Sequence, residues 1–226
     1  TTRRMRFEVS FLTRYRLKKG SSKIGHSWMR EHVNDPYVHQ AKAKGYRSRA
    51  AFKLIQIDEK DKLIAPGMMV VDLGAAPGSW SQVLARQVGS TGRVIALDLL
   101  PIDPIGQVEI IQGDFREQEP LDRLEQLLAG RRLDLVVSDM APNITGIASS
   151  DQARSIDLCE LALEFARGNL RSGGHFLVKT FQGSGYPAFL DAMRREFKAV
   201  VSRKPDASRG RSSEIYLLGK GFLGKS

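Results

Sequence analysis

The sequence predicts an α/β fold: a mostly parallel seven-stranded sheet, helices on both faces, and a last strand that runs antiparallel. Three observations carry this. From residue 68 onward short apolar runs alternate with helix-period segments. The last two β-rich runs are separated only by PDASRGRSS, too little chain for a crossover helix, so the final strand must pair antiparallel. No internal repeat and no long linker divides the 226 residues.

In order, MMVVDL (68–73) opens the sheet and SWSQVLARQV (79–88) has helical period. RVIALDL (93–99) and VEIIQ (108–112) are the next strands, followed by the helix LDRLEQLLAG (121–130). LDLVVSD (133–139) is the fourth strand. In DQARSIDLCELALEFARGNL (151–170), Ile156, Cys159, Leu163 and Ala166 recur three or four apart and mark one buried face. Gly173-Gly174 is placed to close that helix. HFLVKTF (175–181), the helix YPAFLDAMRREF (186–197), AVVSRK (199–204) and EIYLLG (214–219) complete the series.

A chain of this length with 42% hydrophobic residues buries one substantial core. Its single cysteine, Cys159, rules out a disulfide framework and points to a reduced, cytoplasmic setting. No run approaches the roughly 18 apolar residues of a membrane span. The net charge of +10 is concentrated at the front: the first 53 residues hold 14 lysines and arginines against three acids. Such a segment gathers phosphates by steering and counterion release. Residues 1–26 read as a basic, flexible arm without the apolar stretch of a secretory leader, an organellar presequence being the other reading. Residues 27–226 form the folded domain.

The first strand runs into Asp72 and Gly74 in VVDLGAAPGSW. In open α/β sheets ligands sit outside the carboxyl ends of the strands, near the switch in strand order. Gly74 lets a ligand approach the backbone there. The loop is not G-x-G-x-x-G, and Pro77 removes an N–H that a pyrophosphate would need. That disfavours a dinucleotide and an NAD-dependent oxidoreductase. Asp98 ends the second strand and can accept from both ribose hydroxyls; Asp114 follows the third and can accept from an adenine amino group, with Phe115 beside the ring. A phosphate-free adenosine carrying an amino-acid tail, S-adenosylmethionine, fits this set.

Chemistry comes from polar residues at the same sheet edge. Asp139 ends the fourth strand, and Lys179 lies inside an apolar β run, where a lysine is costly unless paired or functional. An antiparallel last strand starts where the parallel strands end, which brings Glu214 to the same edge. Lys53, beside a helical apolar stripe in RSRAAFKLIQI, reads on its own as a solvated face residue.

The stretches SRAAFKL, VVDLGAAPGSW, DLLPIDP, GDF, SDMAPN, VKTFQG and RKPDASRGRSSEIYLL occur in that order between about residues 27 and 219. In these the sequence resembles the FtsJ family of ribosomal RNA 2′-O-methyltransferases. The resemblance implies a Rossmann-like S-adenosylmethionine-dependent methyltransferase fold. It implies a Lys-Asp-Lys-Glu tetrad at Lys53, Asp139, Lys179 and Glu214, and cofactor contacts at Gly78, Trp80, Asp98, Asp114 and Asp139. Asp72, Gly74, Leu99 and Phe115 complete the candidate cofactor set. It further implies a uridine of the A loop of 23S rRNA, in the large ribosomal subunit or its precursor, as substrate. The loop departs from the family's usual GGW by reading GSW, and the first 25 or so residues exceed the family's usual start.

Lys179 would assist the attacking hydroxyl, either as a base or as a cation beside the developing alkoxide. Candidate RNA phosphate contacts are Lys42, Lys44, Arg47, Arg49, Arg203, Lys204, Arg209 and Arg211. No metal site, no membrane and a monomer are expected. The alternatives are a 2′-O-methyltransferase of tRNA or cap, discriminated by the RNA bound, and a non-catalytic ribosome-assembly factor, which would be free to lose the tetrad.

Overall fold

The structure is a computed structural model and describes residues 35–142, 145–146, 148–208 and 212–224. The chain divides into two units, Thr1–His39 and Gln40–Ser226; the sheet and the candidate site lie in the second. The arm expected over residues 1–26 lies outside the described residues.

Helix α1 (Pro36–Ala43) starts on a proline, where a missing N–H costs nothing. Helix α2 (Ala51–Asp61) stops at Lys62, whose left-handed backbone returns its N–H to Asp58 O. The sheet then begins. β1 (Met69–Leu73), α3 (Ser79–Val88), β2 (Arg93–Asp98), β3 (Val108–Gln112), α4 (Gln118–Leu128) and β4 (Leu133–Ser138) make its first half. α5 (Ala148–Asn169), β5 (Leu170–Phe181), α6 (Tyr186–Glu196), β6 (Phe197–Arg203) and β7 (Glu214–Phe222) make the second.

The strand order is β3-β2-β1-β4-β5-β7-β6. β1 pairs parallel with β2 and β4, and β5 parallel with β4. β7 inserts antiparallel between β5 and β6, as the short connection requires. This is the seven-stranded, mostly parallel α/β sheet that the sequence predicts. The order reverses between β1 and β4, which puts the ligand crevice over the ends of those strands.

One expectation fails. Gly173 and Gly174 do not cap the long helix, which gives way to β5 at Leu170 directly after Asn169. The glycines instead form an irregularity within β5, where the register with β4 shifts between Leu133 and Leu135. Gly173 has φ +80°, and a Cβ on Gly174 would sit 3.0 Å from Arg171 O and 3.2 Å from Asp134 O. Close backbone approach, not helix termination, demands glycine there.

Two apolar layers cover the sheet. On one face Leu124, Leu163, Phe165, Phe189 and Met193 of α4, α5 and α6 pack on Val71, Leu73, Val136, Phe176 and Leu217. On the other, Leu54 and Ile57 of α2 and Trp80, Val83 and Leu84 of α3 pack on Val70, Val94, Val137, Leu177, Tyr216 and Leu218. At the foot of this second layer the covered side chain of Asp61, at the end of α2, takes Arg203 at 2.6 Å and Lys220 at 2.7 Å, tying β6 and β7 to the helix.

Candidate active site

Strand parity assembles the site. Side chains two apart share a face, so Asp139 continues the face of Val137 and Lys179 that of Leu177, both on the α2/α3 side. Lys179 pairs across the ladder with Tyr216 and Phe181 with Glu214, so Lys179, Tyr216 and Glu214 emerge on one face. Helix α2 lies over that face and supplies Lys53. The contacts follow. Lys179 Nζ donates to Asp139 O at 2.6 Å and lies 3.1 Å from Asp139 Oδ1. Lys53 Nζ lies 2.7 Å from Glu214 Oε1. Tyr216 joins the two pairs: its hydroxyl donates to Asp139 Oδ1 at 2.8 Å, and Lys53 Nζ sits 5.8 Å from its ring centre. Lys179 and Glu214 are buried. Burial raises the Tyr216 hydroxyl well above its ordinary value, reinforced by the Asp139 and Glu214 charges, so it stays a donor.

Beside this cluster lies the glycine turn, and its hydrogen bonds can be counted. Gly74 and Ala75 N–H go to Leu97 O (2.9 and 3.3 Å), Gly78 N–H to Ala75 O (2.6 Å) and Ala76 N–H to Asp98 Oδ2 (2.8 Å). Pro77 has none. No amide between Gly74 and Gly78 is left for a pyrophosphate, which is the donor set a phosphate-free nucleoside tolerates. Gly74 is required sterically: a Cβ would lie 2.2 Å from Met140 Cγ, of the loop that follows Asp139.

Comparison with known proteins places the chain in a family. The family model described as FtsJ-like methyltransferase matches residues 46–222. The chain belongs to the FtsJ-like methyltransferase family. It is 64% identical over 200 residues to a protein of Chromobacterium violaceum named ribosomal RNA large subunit methyltransferase E, covering 88% of this chain and 98% of that one. A protein of the same name from Neisseria meningitidis is 61% identical over 199 residues, covering 88% and 97%. Among solved structures, one described as a ribosomal RNA methyltransferase from Plasmodium falciparum matches with TM-score 0.72 and 32% identity, over 80% of this chain and 100% of that one.

In this FtsJ-like methyltransferase the expected cofactor residues have the following surroundings. Asp98 takes Ala76 N–H on one oxygen and Leu100 N–H (2.7 Å) on the other. A carboxylate has about four acceptor positions, so capacity for ribose hydroxyls remains. Leu99 beside it is an apolar side chain left 63% exposed. Asp114 is more committed than expected: Arg116 grips it through Nε (2.9 and 3.0 Å), Nη2 (2.5 Å) and its own N–H (3.0 Å). An adenine amino group would have to displace the exposed Arg116 side chain. Phe115 packs edge-on to Phe165, ring centres 6.1 Å apart. Trp80 is buried, with its indole N–H spent on Ala50 O at 2.8 Å, so it braces the approach to α2.

Asp72 is the floor of the turn. It is wholly buried; Ser81 Oγ donates to Oδ2 at 2.6 Å, and Oδ1 has no hydrogen-bond partner among the described residues. Burial pushes its carboxyl up to about 7, against the Ser81 bond and with help from the Asp139 and Asp98 charges. A folded-state value raised above the unfolded one favours the protonated fold, so this contribution is complete below about pH 4 and lost as pH rises through about 7. Urea unfolding of the wild type should therefore show falling stability across that window, and Asp72→Asn should flatten the fall. An unchanged slope in the variant would assign the titration elsewhere.

The basic residues divide. Lys42 and Lys44 are exposed, with Lys44 Nζ 5.5 Å from the Phe52 ring centre. Lys204 Nζ donates to Ser212 O at 2.5 Å. Three arginines expected to meet phosphates have protein partners. Arg203 forms a two-bond fork with Asp61; Arg49 donates to Ala207 O; Arg47 donates to two carbonyls, Pro77 O and Pro104 O. Their planar forks are taken up by backbone carbonyls and by the Asp61 carboxylate, which leaves them fewer N–H groups for RNA. Arg209 and Arg211 lie outside the described residues. Among the described residues no group of three His, Cys, Asp or Glu is placed to hold a metal, and no helix is long and apolar enough to cross a membrane. Tyr216 was the residue that sequence reasoning missed; its spacing of two from Glu214 in EIYLL was the available signal.

Proposed function

We propose that this FtsJ-like methyltransferase transfers a methyl group from S-adenosylmethionine to a ribose 2′-hydroxyl of 23S rRNA, at a uridine of the A loop, in the large ribosomal subunit or its precursor. The observation that carries this reading is the Lys179–Asp139 pair, met by Tyr216 and the Lys53–Glu214 pair, at the strand ends beside the glycine turn. The relatives' names support the large-subunit RNA as target.

S-adenosylmethionine, when bound, supplies a methyl group already activated by its sulfonium. Asp98 and Leu99 would hold the ribose and cover the adenine, with Asp114 reading the amino group once Arg116 is displaced from it. The protein's remaining task is alignment and charge. Lys179 donates one N–H to Asp139 O and forms an ion pair with Asp139 Oδ1. A remaining N–H would meet the 2′-oxygen and stabilise it as its proton leaves for solvent, the cation role rather than the base role. Asp139, held by Tyr216, fixes Lys179 in place. Glu214 fixes Lys53, a second cation on the same face. Lys42 and Lys44 would contact phosphates.

The test is to incubate the protein with unmethylated large subunits and methyl-labelled cofactor, then map the label. The expected result is one 2′-O-methyluridine in the A loop. Label on a base, or on tRNA rather than the subunit, would refute the assignment. RNA affinity should also fall steeply with salt, and a slope near zero would contradict phosphate-led binding.

A further inference from the structure

Arg47 stands where three segments of the site meet. Its Nη1 donates to Pro77 O at 2.7 Å, in the glycine turn, and its Nη2 to Pro104 O at 2.9 Å, in the loop that follows Asp98. Its own N–H donates to Gln82 Oε1 at 2.8 Å, and Gln82 Nε2 donates back to Gly45 O at 3.0 Å. One residue on, Ser48 Oγ meets Ser79 Oγ at 2.6 Å; after that Ala50 O takes the Trp80 indole. The segment Gly45–Ala50 is thus stitched to Pro77–Gln82 along its length, and it leads directly into α2 and Lys53. The seam is tight: at Gly78, with φ +100°, an added Cβ would lie 2.9 Å from Arg47 Nη1 and 2.4 Å from Ile105 Cδ1.

We infer that Arg47 is a positioning residue, not a phosphate ligand: it clasps the glycine turn to the loop after Asp98 and joins both to the segment that carries Lys53. A guanidinium can bridge two separated carbonyls with rigid, divergent N–H groups; an ammonium on a flexible stem reproduces one such bond at best. The role given to the turn rests on the S-adenosylmethionine reading above, but the clasp itself does not need the cofactor.

The experiment compares wild type with Arg47→Lys and Arg47→Met in three measurements. Hydrogen exchange without cofactor should be about tenfold faster at the amides of both 74–79 and 101–106 in each variant, the effect of losing one charge-assisted bond from a local opening. Calorimetry should show S-adenosylmethionine binding about tenfold weaker in both, a larger effect than any fall in kcat at saturating cofactor. The slope of RNA affinity against salt should not change, since no phosphate contact is lost. Unchanged exchange in the two loops overturns the clasp. Unchanged cofactor affinity overturns the positioning role, and a salt slope smaller by about one alongside it marks a phosphate contact. A wild type that fails to bind S-adenosylmethionine would sink the proposed function instead, while the exchange result would still judge the clasp.

Discussion

Lys179→Met is expected to slow methyl transfer to RNA about 10³-fold while leaving S-adenosylmethionine affinity within about twofold. Methionine keeps much of the apolar stem that fills the strand face and removes only the charged end. Lys179 is 8% exposed, and both of its described partners belong to Asp139. Its charge therefore acts where water is scarce and an added cation has most effect on a developing alkoxide. The variant also leaves Asp139 held by Tyr216 alone. Tyr216→Phe, which deletes that hydroxyl and keeps Lys179, should for this reason cost much less, about tenfold. Single-turnover transfer to large subunits at saturating cofactor, with calorimetry alongside, separates the steps. Near-normal turnover in Lys179→Met would take Lys179 out of the chemistry; lost cofactor binding would make it a cofactor residue.

The difference between Lys179 and the arginines shows what the sequence could reveal. Lys179 was legible because a lysine inside HFLVKTF violates the apolar pattern around it, and Glu214 because a connection of fixed length forces the last strand to reverse. Both arguments use local pattern plus topology. Arg47 and Arg203 sit in equally basic neighbourhoods, but their partners are 30, 57 and 142 residues away. Nothing in RSRAAF or VVSRK says whether a guanidinium meets a carbonyl, an acid or a phosphate, because composition fixes charge and not its partner. Gly173-Gly174 is a related case. The dipeptide meets the demands of a helix end and of a strand irregularity equally well, and only the approach of Asp134 O decides between them. At Asp114 the sequence offered the right acceptor and could not show that Arg116, two residues on, already fills it.

Asp61→Ala is expected to cost about 3 kcal/mol, a drop in Tm of about 6–12 °C for a domain of this size. An acid in the last turn of a helix opposes the helix dipole, so its presence there calls for a compensating tertiary contact. The Asp61 side chain is 2% exposed and accepts from Arg203 Nε at 2.6 Å, Arg203 Nη2 at 2.8 Å and Lys220 Nζ at 2.7 Å. Burial alone would raise its carboxyl; the bonds and charges of Arg203 and Lys220 outweigh that and hold it below the ordinary range. A depressed folded-state value gives stability above the unfolded carboxyl value of roughly 3.9 that is lost as pH falls through the folded one. The gap in Tm between wild type and Asp61→Ala should accordingly be wide at neutral pH and close in acid. Function should follow stability here, because α2 carries Lys53 and β7 carries Glu214, and Asp61 is what binds the helix to that strand pair through Arg203 and Lys220. At a temperature where the variant is still folded, turnover should drop more than cofactor affinity, since Asp61 lies at the opposite end of α2 from the segment that meets the glycine turn. A variant with wild-type Tm at neutral pH would mean that the apolar contacts of Leu54 and Ile57 alone set the distance between Lys53 and Glu214.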